Sequence, residues 1–225
     1  MHSNKRISRI AGILILAGMV AGIVSVVPAV EGTDYLKEVF PKKNQVLVGA
    51  VFQFLLVPIY IGFALILFKK LKKQNETSAI GFVGFRLMAG VFQIIGVIIL
   101  PLFIYLSKIY LTSGGESLLY VENLGEMLKT IRDLSNHLGV MVTTGLGNLL
   151  FYYILFRGKF IPKWLSVWGV IGNVLIILAS FLILFQLVDV ISTAYISITI
   201  PLVLQELILA IWLIVKGFDF DRENQ

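Results

Sequence analysis

Apolar residues run along this chain in six long blocks, at 10–30, 45–68, 79–108, 134–156, 164–188 and 191–215, separated by short polar segments. Each block reaches the roughly 20 residues that cross a hydrocarbon core of about 30 Å, and in hydrocarbon a helix satisfies every backbone N–H and C=O within its own segment. The pattern predicts an all-α polytopic membrane protein, one domain spanning 1–225, built as a bundle of six transmembrane helices. The first block follows Lys5, Arg6 and Arg9, and Gly18 and Gly22 within it form a small-xxx-small pair suited to helix packing. Its apolar core is longer than the roughly 7–15 residues of a secretory leader, so it reads as a retained span.

Composition narrows the class further. Of 225 residues 58% are apolar and 14% charged, against about 45–50% and about 25% in an ordinary soluble domain. A soluble enzyme, a nucleic-acid-binding domain and a disordered chain are excluded, and no nucleic-acid partner is expected. The net charge of +6 comes from cations in the turns. Segments 1–9, 69–78, 157–163 and 216–225 carry twelve Lys and Arg, whereas 31–44, 108–133 and the turn at Asp189 carry six. The excess places both termini in the cytoplasm and 31–44 and 112–133 outside. Lys69, Lys70, Lys72 and Lys73 form the densest basic turn, a topology anchor that also suits anionic headgroups of the bilayer. With no Cys, disulfides, thiolate-bound metals and covalent c-type haem are excluded.

Two connections carry pattern of their own. In the turn before the fifth span Pro162 can start the helix, and Trp164 and Trp168 fall at interfacial depth. In 116–135, Leu124, Leu128, Ile131, Leu134 and Leu138 recur at helical spacing, with Glu122, Glu126, Asp133 and His137 on another face. That segment is either an amphipathic helix on the membrane surface or an outward extension of the fourth span. No inverted repeat relates the two halves.

Polar side chains inside the spans carry the candidate chemistry, because ionisable groups in hydrocarbon need a partner or a water-filled cavity. Counting about 1.5 Å per residue from the basic ends puts Arg86, Asn148, Asn173 and Glu206 at one depth, roughly 10–15 Å in. Inward stripes then read Arg86, Gly90 and Gln93; His137, Met141, Thr144 and Asn148; Ser166, Gly169, Asn173 and Ser180; and Ser192, Thr199 and Glu206. Gln53 and Gln93 form a second layer nearer the middle. Arg86 and Glu206 are expected to be direct or water-bridged neighbours. The layer is either a polar cavity opening toward the cytoplasm or a set of contacts that locks the helices in register. The candidate binding residues are Arg86, Gln93, His137, Thr144, Asn148, Asn173 and Glu206. His137 with Asp133 one turn before it resembles a metal arrangement, but the one other imidazole, His2, belongs to the opposite side, and no metal is expected. No HExxH, GxSxG, P-loop or dinucleotide fingerprint occurs, the Gly114-Gly115-Glu116-Ser117 stretch lacks the second glycine, and no cofactor is expected.

Four blocks carry a resemblance. They are Arg9-Ile10-Ala11-Gly12, Phe85-Arg86-Leu87, the turn Gly158-Lys159-Phe160-Ile161-Pro162-Lys163-Trp164-Leu165, and Glu206 followed by Trp212-Leu213-Ile214-Val215-Lys216-Gly217. In order and spacing they resemble the bacterial integral-membrane family labelled domain of unknown function 4386. The resemblance covers nearly the whole chain and implies a six-span protein of the bacterial cytoplasmic membrane with no established activity, so no functional residue carries over. The expected function is non-enzymatic: binding or passing a small solute or lipid, or assembly with a membrane partner, through the buried polar layer. The alternative is an intramembrane enzyme using Glu206 and Arg86, or His137.

Overall fold

The protein is described by a computed structural model covering residues 2–112, 114, 117–190 and 192–220; of the stretch Gly114-Gly115-Glu116-Ser117 considered above, Gly115 and Glu116 lie outside the described residues, as does Ile191. The described residues form helices and turns without strands: α1 (His2–Val24), α2 (Pro28–Glu31), α3 (Tyr35–Glu38), α4 (Lys43–Gln74), α5 (Glu76–Thr112), α6 (Ser117–Asp133), a π-helical segment (Leu134–Val140), α7 (Met141–Arg157), α8 (Lys163–Leu184) and α9 (Thr193–Val215). Six helices are long and apolar enough to cross a membrane, with α6, the π segment and α7 forming one of them over Leu118–Arg157. Residues 118–135 of the amphipathic stretch are thus an extension of the fourth span. Between 28 and 44% of each span's apolar window is buried within the protein, which leaves most of the apolar surface facing outward, as a multi-pass membrane protein requires.

Several helices overrun their apolar blocks because the flanking residues favour helix. Lys72 and Lys73 stand in the last turn of α4, where cations complement the helix dipole. A single extended residue, Asn75, separates α4 from α5. Its Oδ1 accepts from Ser78 N–H at 2.8 Å, a side-chain cap on one of the four orphan donors at the start of α5. Pro162 stands one place earlier than a first-turn proline, as the N-cap of α8.

Consecutive spans pack side by side, α1 on α4, α4 on α5, α5 on α7, α7 on α8 and α8 on α9, and α9 returns to α1. The spans therefore form a closed ring in sequence order, the arrangement that short connections between antiparallel neighbours favour. Gly12 lets the ring close: a Cβ there would fall 2.7 Å from the carbonyl oxygen of Ala210 on α9. The expected Gly18/Gly22 packing pair is not made. Gly22 faces open space, while Gly18 packs on α4, where an added Cβ would lie 3.0 Å from the Tyr60 side chain.

Two large apolar cores fill the ends, and a smaller cluster joins Ala179, Ile183 and Tyr195. At the basic end, carrying the 69–75 and 158–162 turns, Phe82 stacks on Phe151 at 5.0 Å and Phe63 meets both rings edge-on. There the two terminal segments meet, with Phe218 N–H donating to Ser8 Oγ at 2.9 Å and Asp219 N–H to the Phe160 carbonyl at 2.9 Å. At the opposite, cap end, residues 25–42 are a packed lid. Tyr35 and Leu36 join Val27, Leu100 and Phe103 in a second core. Ser107 Oγ on α5 accepts from Phe40 N–H at 2.9 Å and donates to the Leu36 carbonyl at 2.6 Å.

Candidate functional site

Arg86 on α5 anchors a chain of hydrogen bonds across three spans. Its Nη2 donates to Asn148 Oδ1 on α7 at 2.6 Å, Asn148 Nδ2 donates to Asn173 Oδ1 on α8 at 2.9 Å, and Asn173 Nδ2 donates to the Gly169 carbonyl at 2.7 Å. The common depth counted from the sequence becomes direct contact among these three. The guanidinium carbon lies 5.1 Å from the ring centre of Tyr60, 5.6 Å from Phe82 and 5.9 Å from Phe63, within the range of cation–π attraction. Arg86 Nε is buried without a hydrogen-bond partner.

A second chain fastens α9. Tyr152 Oη donates to Gln205 Oε1 at 2.8 Å, and Gln205 Nε2 donates to the Leu165 carbonyl on α8 at 3.2 Å. Gln205 is 0% exposed, whereas Glu206 is half-buried. The inward stripe expected as Ser192, Thr199 and Glu206 is instead Tyr195, Leu202, Gln205, Leu209 and Leu213. Ser192 serves as the N-cap of α9, accepting from Tyr195 N–H at 3.2 Å, and Thr199 bonds back to its own helix.

Arg86 and Glu206 face one cavity of about 20 Å³, lined also by Ile15, Tyr60, Asn148 and Tyr152. That volume holds about one water molecule, whose site needs at least ~10–15 Å³ and two to four polar partners. Among the described residues no ion pair within 4.0 Å joins Arg86 to Glu206, so of the direct or water-bridged approach expected from their depths the direct contact is not made, while the two share a cavity of one water's size. The guanidinium points its short hydrogen bond at an amide instead.

The other sequence-named residues lie elsewhere. Gln93 and Thr144 are half-buried and take no part in either chain. Thr143 occupies the buried face beside Thr144, and its hydroxyl donates to the Gly139 carbonyl at 2.6 Å. That carbonyl belongs to the π segment, where Met141 N–H reaches back to Asn136. A π insertion rotates everything beyond it on the helix, so His137 and Asn148 do not continue one regular stripe. His137 Nδ1 lies 3.1 Å from Tyr195 Oη, with the two rings edge to face at 5.5 Å. Gln53 pairs with Asn136, not with Gln93, at 3.4 Å. Ser166 Oγ is buried without a partner, and Ser180 bonds back to Ile176.

Sequence reading missed Gln205, Tyr60 and Tyr152, whose apolar bodies or amide give little signal in an apolar run. It also missed a second buried arginine. Arg132 on α6 donates from Nη1 to Glu31 Oε1 at 2.7 Å, joining the lid to the fourth span across 101 residues.

A family model described as "Domain of unknown function (DUF4386)" matches residues 10–217. The chain belongs to that family. No curated protein and no solved structure matches it.

Proposed function

We propose that this DUF4386 member is a non-enzymatic protein of a bacterial cytoplasmic membrane that binds a small polar solute in the layer of Arg86, Asn148, Asn173 and Glu206. The observation that supports the reading is the gap between Arg86 and Glu206 across a shared, water-sized cavity. A contact serving packing alone closes such a pair, as Arg132 and Glu31 do at 2.7 Å. A carboxylate and a guanidinium held apart in hydrocarbon keep donors and acceptor for something between them. At about 20 Å³ the cavity holds no more than a water-sized guest, and in this reading a larger solute needs α9 to part from its neighbour α1. Both termini face the cytoplasm in this reading, because twelve turn cations lie on their side, so the cavity lies nearer that face. Lys72 pairs with Glu76 at 2.8 Å and Lys70 lies over the Phe220 ring, which leaves exposed Lys69 and Lys73 as the cations for anionic headgroups.

The test is a thermal-shift panel of amino acids, sugars and inorganic ions on purified protein. At least one compound should raise the Tm of the wild type and leave Asn173→Leu and Glu206→Gln unmoved. If no compound discriminates and Asn173→Leu only lowers stability, the layer is a strut. Orientation is checked separately with single cysteines at Asp34 and Gln74 in this Cys-free chain. An impermeant thiol reagent on intact cells should label the Asp34 site and spare the Gln74 site, and the reverse pattern overturns the topology.

A further inference from the structure

The chain beyond α9 folds back onto the bundle. Gly217 takes a φ of 81°, in the left-handed region that favours glycine, and a Cβ there would lie 3.3 Å from Ser8 Cβ and Oγ. The turn sends Phe218-Asp219-Phe220 across the basic end. Phe218 and Phe220 are each 7% exposed and Asp219 between them is exposed, the alternation of an extended chain with one face inward.

This strap grips three places. Phe218 N–H donates to Ser8 Oγ on α1 at 2.9 Å, and Asp219 N–H donates to the Phe160 carbonyl, in the turn between α7 and α8, at 2.9 Å. The Phe220 ring meets Phe160 edge-on at 4.9 Å and Phe218 at 5.0 Å. Lys70 Nζ, near the end of α4, stands 5.7 Å from the Phe220 ring centre, within cation–π range.

The seam that the strap crosses differs from its neighbours in the ring. Arg86 and Asn148 tie α5 to α7, Asn148 and Asn173 tie α7 to α8, and Gln205 ties α9 to α8, all within the spans. Where α9 meets α1, the spans approach through Gly12 against Ala210, Leu213 and Ile214, and the hydrogen bond from Phe218 to Ser8 ties them from beyond the end of α9. Lipid tails are as apolar as Leu, so an apolar seam gains no hydrophobic driving force and parts more readily than one with hydrogen bonds across it.

The same seam borders the Arg86–Glu206 cavity. Ile15 of α1 and Leu209 of α9 line that cavity together with Phe63, and all three belong to one apolar core with Phe160, Phe218 and Phe220. Ile15 lies one helical rise of about 10 Å beyond Ser8 along α1. The strap rings are therefore the outer layer of the plug between the basic end and the cavity.

We propose that residues 217–220 are a gate strap: docked, they hold α9 on α1 and close the route from the basic end to the cavity, and undocked, they let the two helices part. A gate has a purpose only if the layer takes a solute, as read above. Opening is measurable with no solute present, so either reading can fail without the other.

The experiment introduces Ile15→Cys as a reporter into this Cys-free chain and follows its reaction, in purified full-length protein in detergent, with a trimethylammonium methanethiosulfonate reagent. The fixed charge keeps that reagent out of the micelle interior. A second reporter, Leu100→Cys, sits in the cap-end core and reads general loosening. Phe218→Ala with Phe220→Ala should speed labelling of the Ile15 site at least tenfold and leave the rate at the Leu100 site within twofold. Ser8→Ala, which removes one hydrogen bond and keeps both rings, should speed labelling of the Ile15 site severalfold with helix content unchanged, and it decides the outcome where the double variant does not fold. An unchanged rate at the Ile15 site in Ser8→Ala, or equal acceleration at both sites, would overturn the gate and leave the strap a structural contact.

Discussion

Arg86 and Arg132 are buried almost equally, 5% and 6% exposed, and are neutralised in opposite ways. Arg132 closes a short ion pair with Glu31 and so clamps the lid onto α6. Arg86 spends its short hydrogen bond on Asn148 and rests among three aromatic rings, with its carboxylate, Glu206, held across a cavity. Desolvating an arginine is costly in either place, but the compensation differs: Coulomb attraction at the lid, and an amide with cation–π contacts in the layer. The lid pair is therefore a structural contact that depends on its acid. The layer makes its short hydrogen bonds without its acid.

Replacement of Glu31 by Ala gives the largest effect, because it leaves buried Arg132 with only Asp133, at 3.8 Å, as counter-charge. A loss of about 3 kcal/mol is expected, at the low end for a broken buried pair since Glu31 is partly exposed. Reversible unfolding in mixed micelles measures it, and adding Arg132→Ala should recover part of the loss. A loss under about 1 kcal/mol would show that the two arginines are held alike. Asn148→Leu comes next, at about 2 kcal/mol, for it removes the one short acceptor of Arg86 and the donor to Asn173. If the same unfolding assay shows no change, the aromatic rings alone hold Arg86. Tyr152→Phe should cost about 1 kcal/mol by leaving Gln205 Oε1 unbonded, read as a lower unfolding midpoint with unchanged helix content. Glu206→Gln sharpens the contrast most with the smallest effect, within about 0.5 kcal/mol of wild type, as expected where no strong contact is lost. A loss matching that of Glu31→Ala would erase the distinction between the two regions.

Depth within a span can be counted from residue numbers, and that count brought Arg86, Asn148 and Asn173 to one level, where they bond directly. Azimuth around a helix cannot be counted as safely. On α9 Gln205, one residue before Glu206, is the fully buried position, and Glu206 is half-buried. On the fourth span the π segment inserts a phase shift between His137 and Asn148 with no composition of its own to announce it. Tyr60 and Tyr152 present polar tips on apolar bodies, so hydropathy reads them as core. The 25–42 connection reads as a loop because its helices are one turn each, too short for periodicity to register.

The sequence by itself determined the six helical spans and the level of the polar layer. Hydrocarbon demands long unbroken apolar helices, and the rise per residue converts position into depth. Only the tertiary structure decided which polar groups meet: that Arg132 finds Glu31 across 101 residues, that Arg86 bonds an amide, and that Glu206 faces a gap. Those choices depend on helix rotation and on which spans become neighbours in the ring. Both are set by the summed packing of many weak apolar contacts, which no local pattern in the chain records.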